Sequence, residues 1–284
     1  MNLQTLYFNL SARKANLILL ILASQNIQGQ TQKNEGRFDI LVEENQIAAA
    51  LDAVHQYDTE NRFTRLRHQI QNVPVSSFFS PAAFIIMGIV CAVHAAARYY
   101  GTHESLVLEY GASALYILQG EHYRAITALF FHADVQHLLG NMAGLLIFGA
   151  PVIRILGYGT GPFALLVCGA AGNLMNAHLY RTAHLSIGAS TSIMAGAGLL
   201  CAFQALQKKG WFSPSMLTPV FAGAILMALL SQGENTDVWA HVFGFVCGLF
   251  TGLVFFPLDT IIRHPLKQPV MLFITIVLII LSVF

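Results

Sequence analysis

The chain has 284 residues, 55% of them hydrophobic and only 10% charged, with a formal net charge of +1. That composition belongs to a multi-span membrane protein, and a chain so nearly neutral has no electrostatic means of holding a nucleic acid. Its four cysteines, Cys91, Cys168, Cys201 and Cys247, fall in separate apolar stretches without paired spacing, so they read as small packing residues and neither as a disulfide frame nor as a metal site.

Residues 1–72 differ from the rest, carrying seven acidic and seven basic residues, roughly half of all the charges. They read as a small soluble cytoplasmic α/β domain with a strand at 3–8, a helix at 11–26, a strand at 37–42 and a helix at 44–61. The apolar run from Leu17 to Leu22, behind Arg13 and Lys14, has the look of a signal-peptide core. Ser24-Gln25-Asn26 is a poor cleavage region, however, and the strand and amphipathic helix that follow complete a compact unit, so the domain is expected to be retained. Arg62, Arg65 and Arg67 lead into a linker at 73–81 that contains Pro74 and Pro81.

Seven apolar spans follow, at about 79–97, 135–153, 160–180, 190–207, 216–231, 238–257 and 268–284, the fifth and seventh near the lower length limit for crossing a bilayer. With residues 1–72 inside, the basic linker and the inner connections hold eight Lys and Arg, against Arg98, Arg124 and Arg181 outside. The positive-inside rule favours that orientation, amino terminus inside and carboxyl terminus outside. The connection at 98–134 is too long for a simple turn. Its Tyr110, Tyr116 and Tyr123 suit a segment half immersed in the membrane interface.

The stretch 182–207 is free of Asp, Glu, Lys and Arg and contains Gly188-Ala189-Ser190-Thr191-Ser192, followed by a run of small residues. Ser190 should sit in the first turn of a helix that can pack very close to a neighbour. The span at 238–257 is the neighbour to choose, because His241, Gly244, Gly248 and Gly252 recur at three, four and four residues and share one helical face. A serine needs a base to become a nucleophile near pH 7, and imidazole is the usual one. His137 and Asn141, four apart, project together and could stabilise an oxyanion. Gly188 and Ala189 leave space for small substrate side chains. Asp237, four before His241, is either an acid that orients the histidine or a helix-start residue favoured by the dipole. His132 and His137 fit one helical face poorly, and no His-Glu-x-x-His motif occurs, so no metal is expected. His94 and His178 read as packing or water-facing residues.

Four blocks now stand in order: Tyr123-Arg124 with Phe131-His132, His137 to Met142, Gly188 to Ser190, and Ala240-His241 with Gly244 and Gly248. Together they resemble the rhomboid family of intramembrane serine proteases. Thr191 and Met194 depart from that pattern, which often has glycine and an aromatic residue there. The resemblance implies an all-α polytopic membrane protein, with a rhomboid-like six-helix core at 82–258 and a connector and seventh transmembrane helix at 259–284, behind the soluble α/β domain. It implies a hydrolase with a Ser190–His241 dyad, Asn141 and His137 at the oxyanion, Arg124 as a structural residue of the first loop, and no cofactor. The substrates would be transmembrane segments of other proteins, cut near the outer face of a membrane, most simply a bacterial cell membrane. A catalytically inactive relative that binds client helices is the alternative.

Overall fold

The structure is a computed structural model that describes residues 3–34, 36–71, 80–207, 221, 237–256 and 267–284. The chain divides into two compact units, Met1–Gln69 and Ile70–Phe284.

The first unit is an α/β fold. Strands β1 (Leu3–Leu10), β2 (Gln30–Asn34) and β3 (Arg37–Glu43) form an antiparallel sheet in the order β1-β3-β2. Helix α1 (Ala12–Ser24) buries Ala15, Ile18, Ile21 and Leu22 in one core with Ile40 and Val42 of the sheet and with Ala50 and Val54 of α2 (Ile47–Gln71). The spacing of three, three and one is that of an amphipathic helix, and Leu20 on the opposite face is 69% exposed. The run that resembles a signal-peptide core is thus one face of a core helix. β2 was not anticipated: its sequence Gln-Thr-Gln-Lys-Asn is exposed throughout and is held by backbone pairing to β3 and by the hydrogen bond from Asn34 to Asp39.

In the second unit, α3 (Pro81–Tyr99) starts on Ser80, whose side chain accepts from the Ala83 N–H, with Pro81 in the first turn, where a missing N–H costs nothing. The long connection folds into α4 (His103–Tyr110), the short strand β4 (Ala112–Ser113), α5 (Ala114–Leu118) and α6 (Arg124–Thr127). Helix α7 (Val135–Gly144) continues through a π-helical turn, Leu145–Gly149, into α8 (Ala150–Leu156). Pro151 supplies the cause, since it has no N–H and its ring crowds the carbonyl of Ile147 inside that turn. Helix α9 (Thr160–Tyr180) and strand β5 (Leu185–Ser186) lead to α10 (Ser190–Gln207), and then come α11 (Val238–Phe255) and α12 (Lys267–Val283).

Three of these helices, Pro81–Tyr99, Val135–Leu156 and Val238–Phe255, are long and apolar enough to cross a membrane, and Ser190–Leu206 and Lys267–Val283 are shorter apolar helices. Pro74 of the linker and the connector at 259–266 lie outside the described residues, as does the span expected at 216–231 except for residue 221.

Helices α9, α10 and α11 meet backbone to backbone. A Cβ on Gly244 would strike the Thr191 carbonyl, one on Gly248 the Ala195 carbonyl, and one on Gly198 the Phe245 carbonyl, while Gly172 of α9 faces both Thr191 and Gly244. The contacts Thr191–Gly244, Ala195–Gly248 and Ala202–Gly252 advance along both helices together, so α10 and α11 run parallel with their amino-terminal ends side by side. At the far end of α9, Gln268 of α12 accepts from the Gly159 N–H (2.8 Å) and Thr160 N–H (3.1 Å) and donates to the Leu156 carbonyl (2.9 Å), closing the turn between α8 and α9.

Candidate active site

Ser190 is the first residue of α10 and is half-buried, and it follows a loop that is tied down at several points. Gly188 holds φ at +122°, a conformation other residues rarely adopt, and its N–H donates to the Ala128 carbonyl at 2.9 Å. Gly188 is buried, as is Ala189. A Cβ on Gly188 would lie 2.8 Å from His137 Nε2 and 3.5 Å from Ser190 Oγ, so both atoms border one small space that exists because position 188 has no side chain.

His137 is oriented by its own helix start. Asp134 caps α7 by accepting from the His137 N–H at 2.7 Å, and the His137 ring accepts from the Ala133 N–H through Nδ1 at 3.4 Å. A neutral ring with Nδ1 accepting carries its proton on Nε2, the atom that faces Gly188. Asn141, one turn further and 1% exposed, donates through Nδ2 to the His137 carbonyl at 2.8 Å. That bond uses one of its two amide hydrogens.

His241 lies in the first turn of α11, one helical turn before Gly244, and its Nδ1 is buried with no hydrogen-bond partner among the described residues. Asp237 does not fill that place. One of its oxygens accepts from the Ala240 N–H at 3.0 Å, capping α11, and the other accepts from Asn176 Nδ2 of α9 and from His184 Nε2 (2.7 Å). Of the two roles considered for Asp237, the helix-start role is the one its hydrogen bonds serve.

Glycines 244 and 248 supply the closeness of α10 and α11 described above. Arg124 is 5% exposed, donates to the Leu108 and Gly111 carbonyls at 2.9 and 3.3 Å, pairs with Glu121 and lies over the Tyr116 ring at 4.8 Å. It ties together the first loop and does not touch Ser190 or His241 in any of these contacts.

His132 and Thr191 were named from sequence without a role in the site, and Asn173 and Asn176 were not singled out. His132, fully buried, accepts from the Ala189 N–H at 3.4 Å. Burial and the neighbouring His137 and His94 push its imidazole down to about 3, so it is neutral and can accept. Thr191 donates to Asn173 at 3.0 Å, and Asn173 donates to the Ala125 carbonyl at 2.9 Å. Asn173 and Asn176, two buried amides three apart in an apolar helix, were the legible signal. His94 packs its ring edge-on to His103 at 5.4 Å, and His178 is bonded to its own helix. Among the described residues no group of three or more His, Cys, Asp or Glu could hold a metal ion.

The sequence matches the Rhomboid domain over residues 119–258, the segment that contains every residue of this site. YdcA of Bacillus subtilis (strain 168), assigned by name to the rhomboid proteases, is 30% identical over 139 residues, 47% of this chain and 67% of that one. The chain belongs to the rhomboid family. "RHOMBOID-like protein 1" of Arabidopsis thaliana is 30% identical over 140 residues, 48% of this chain and 35% of its own length. "Rhomboid-like protease 1" of Toxoplasma gondii is 30% identical over 148 residues, 49% of each chain. The chain therefore spans from about a third to two thirds of the length of these rhomboid relatives. Family membership and the apolar helices together make it a membrane protein.

Proposed function

We propose that this rhomboid is an intramembrane serine endopeptidase in which Ser190 is the nucleophile and His241 the base. The observation that carries this is the parallel packing of α10 and α11. Ser190 opens one helix and His241 lies in the first turn of the other, and glycine brings the two backbones into contact at Thr191 and Gly244, one residue after Ser190 and three after His241. His241 takes the hydroxyl proton as Ser190 Oγ attacks a peptide carbonyl. The oxyanion is held by the Nε2–H of His137, an Asn141 amide hydrogen and the Ser190 N–H, with the field of the α10 amino terminus adding to them. His241 then gives the proton to the leaving amine, and water releases the acyl group from Ser190. Asp237 is committed to other donors, so the pair works as a dyad.

The substrates are transmembrane segments. Their carbonyls are hidden in helical hydrogen bonds, so segments that unwind easily beside small residues are preferred. Gly188 and Ala189 line the position where such residues lie. The seven-span arrangement, with residues 1–72 on the cytoplasmic side and the carboxyl terminus outside, puts the site just below the outer face of a bacterial cell membrane, and the divisions at 72, 81 and 258 separate soluble domain, linker, core and final helix.

The test is cleavage of a single-span substrate in liposomes by wild type, Ser190→Ala and His241→Ala, with fluorophosphonate labelling of Ser190 in parallel. Cleavage by wild type alone is expected. Wild-type protein that neither cuts nor labels would favour a rhomboid-like protein that only binds client helices.

A further inference from the structure

We propose that His184 and Asp237 are positioning residues that set the axial register of the nucleophile helix against the base helix. Three elements converge on one carboxylate. Asp237, 8% exposed, caps α11 through one oxygen and receives Asn176 of α9 and His184 of the loop before Ser190 on the other. Capping needs only the first oxygen, so the second is available for a different task.

Three contacts hold His184 for that task. Its carbonyl accepts from the Ala114 N–H at 2.8 Å, its neighbours Leu185 and Ser186 pair with Ala112 and Ser113, and its ring stacks on Tyr180 with centroids 3.8 Å apart. Ser190 lies six residues after His184, and His241 lies one helical turn after Asp237. The hydrogen bond between them therefore joins the two chain segments that carry the reacting groups, and it does so at their own end of the helices.

A second joint is needed because of how α10 and α11 touch. Their closest contacts are glycines against backbone carbonyls, which fix the distance between the helices, and the side chains packed beside them, Thr191, Phe245 and the Phe203–Phe256 pair, make apolar contacts that can slip along the axis. A slide of one residue is about 1.5 Å, and a misplacement of about 1 Å at reacting atoms can cost on the order of 100-fold in rate. The pair at Asp237 stops that slide.

The proposal rests on Ser190 and His241 being nucleophile and base. Its test compares wild type with His184→Phe, which keeps a ring on Tyr180 but has no donor, His184→Gln, which keeps a donor near the Nε2 position, Asp237→Asn, and the double variant His184→Phe/Asp237→Asn. Each is reconstituted in liposomes and scored for kcat, KM, the rate of fluorophosphonate labelling and Tm. His184→Phe should lose roughly 10-fold in kcat and in labelling rate, with KM and Tm unchanged, while His184→Gln recovers most of the loss. The double variant should be no slower than the slower single one, because both remove the same link. An active wild type whose His184→Phe variant keeps its kcat, or whose Phe and Gln variants lose rate equally, overturns the proposal alone. Loss that appears only in Tm and KM overturns it too, and a wild type that neither cuts nor labels overturns the catalytic assignment and the positioning role with it.

Discussion

Replacing Gly248 by alanine tests whether backbone contact between α10 and α11 holds the site together. Gly248 is seven residues beyond His241, about 10 Å along the helix, so the added methyl touches neither substrate nor reacting group. Its Cβ would lie 2.7 Å from the Ala195 carbonyl carbon and 2.8 Å from Ala195 Cα. The Ala195 carbonyl oxygen would be closer still, and carbon atoms rest at about 3.5 Å or more, so the helices must part by at least about 0.8 Å there. If they pivot about the Thr191–Gly244 contact, about 6 Å away along the axis, His241 on the other side of the pivot at about 4.5 Å moves by roughly 0.6 Å. Overpacking of this kind costs about 1–3 kcal/mol, and a shift of that size at the base should lower kcat by about tenfold. Thermal unfolding in detergent reads the first quantity, and substrate cleavage in liposomes the second. Phe250→Ala, at a position 69% exposed on the same helix, is the control and should change neither by much. Gly248→Ala with wild-type Tm and turnover would refute the backbone contact and, with it, the placement of His241 by that contact.

Asn141→Ala should lower kcat by about 10²–10³-fold with little change in KM, as loss of one oxyanion donor does; kinetics on a single-span substrate decide it. Gln268→Leu removes the partner of Gly159, Thr160 and Leu156 at the end of α9 remote from Ser190. Its expected effect is a loss of about 1–3 kcal/mol in stability with kcat intact, measured by denaturation and cleavage side by side. The hydrogen bond from Arg124 holds the Glu121 carboxyl below its ordinary range. A depressed carboxylate pKa stabilises the fold above the unfolded value and loses that contribution as pH falls through the folded one. Tm should therefore fall on acidification below the ordinary carboxylate range in wild type, and Glu121→Gln should flatten that part of the Tm–pH curve.

The helices were legible where apolar length and stop signals agreed. The expected spans at 160–180 and 190–207 coincide with α9 and α10, because Arg181, in the left-handed conformation at φ 52°, ends the first, and the Gly188 turn precedes the second. β2 was illegible since its exposed polar residues carry no alternation, and β4 and β5, two residues each, are defined only by pairing between segments more than seventy residues apart. Asp237 shows the same limit in the site. Its spacing of four from His241 suggested a contact within one helix, whereas its partners Asn176 and His184 come from distant sequence and only tertiary structure brings them to it.

Thr191 illustrates how a departure from a family pattern can be absorbed. It places a β-branched side chain beside Ser190 where the family pattern often has glycine. In the structure Thr191 is 2% exposed and turns away, its methyl set between Gly172 of α9 and Gly244 of α11 and its hydroxyl donated to Asn173. The volume that threonine adds is accommodated because both facing positions are glycine, and the polar atom it brings into an apolar junction is satisfied by an amide that is itself bonded to the Ala125 carbonyl. The three helices and the first loop are thereby joined through one side chain adjacent to Ser190. Thr191 is thus part of the helix junction, and if Ser190 is the nucleophile, substrate fit beside it falls to Gly188, Ala189 and His137.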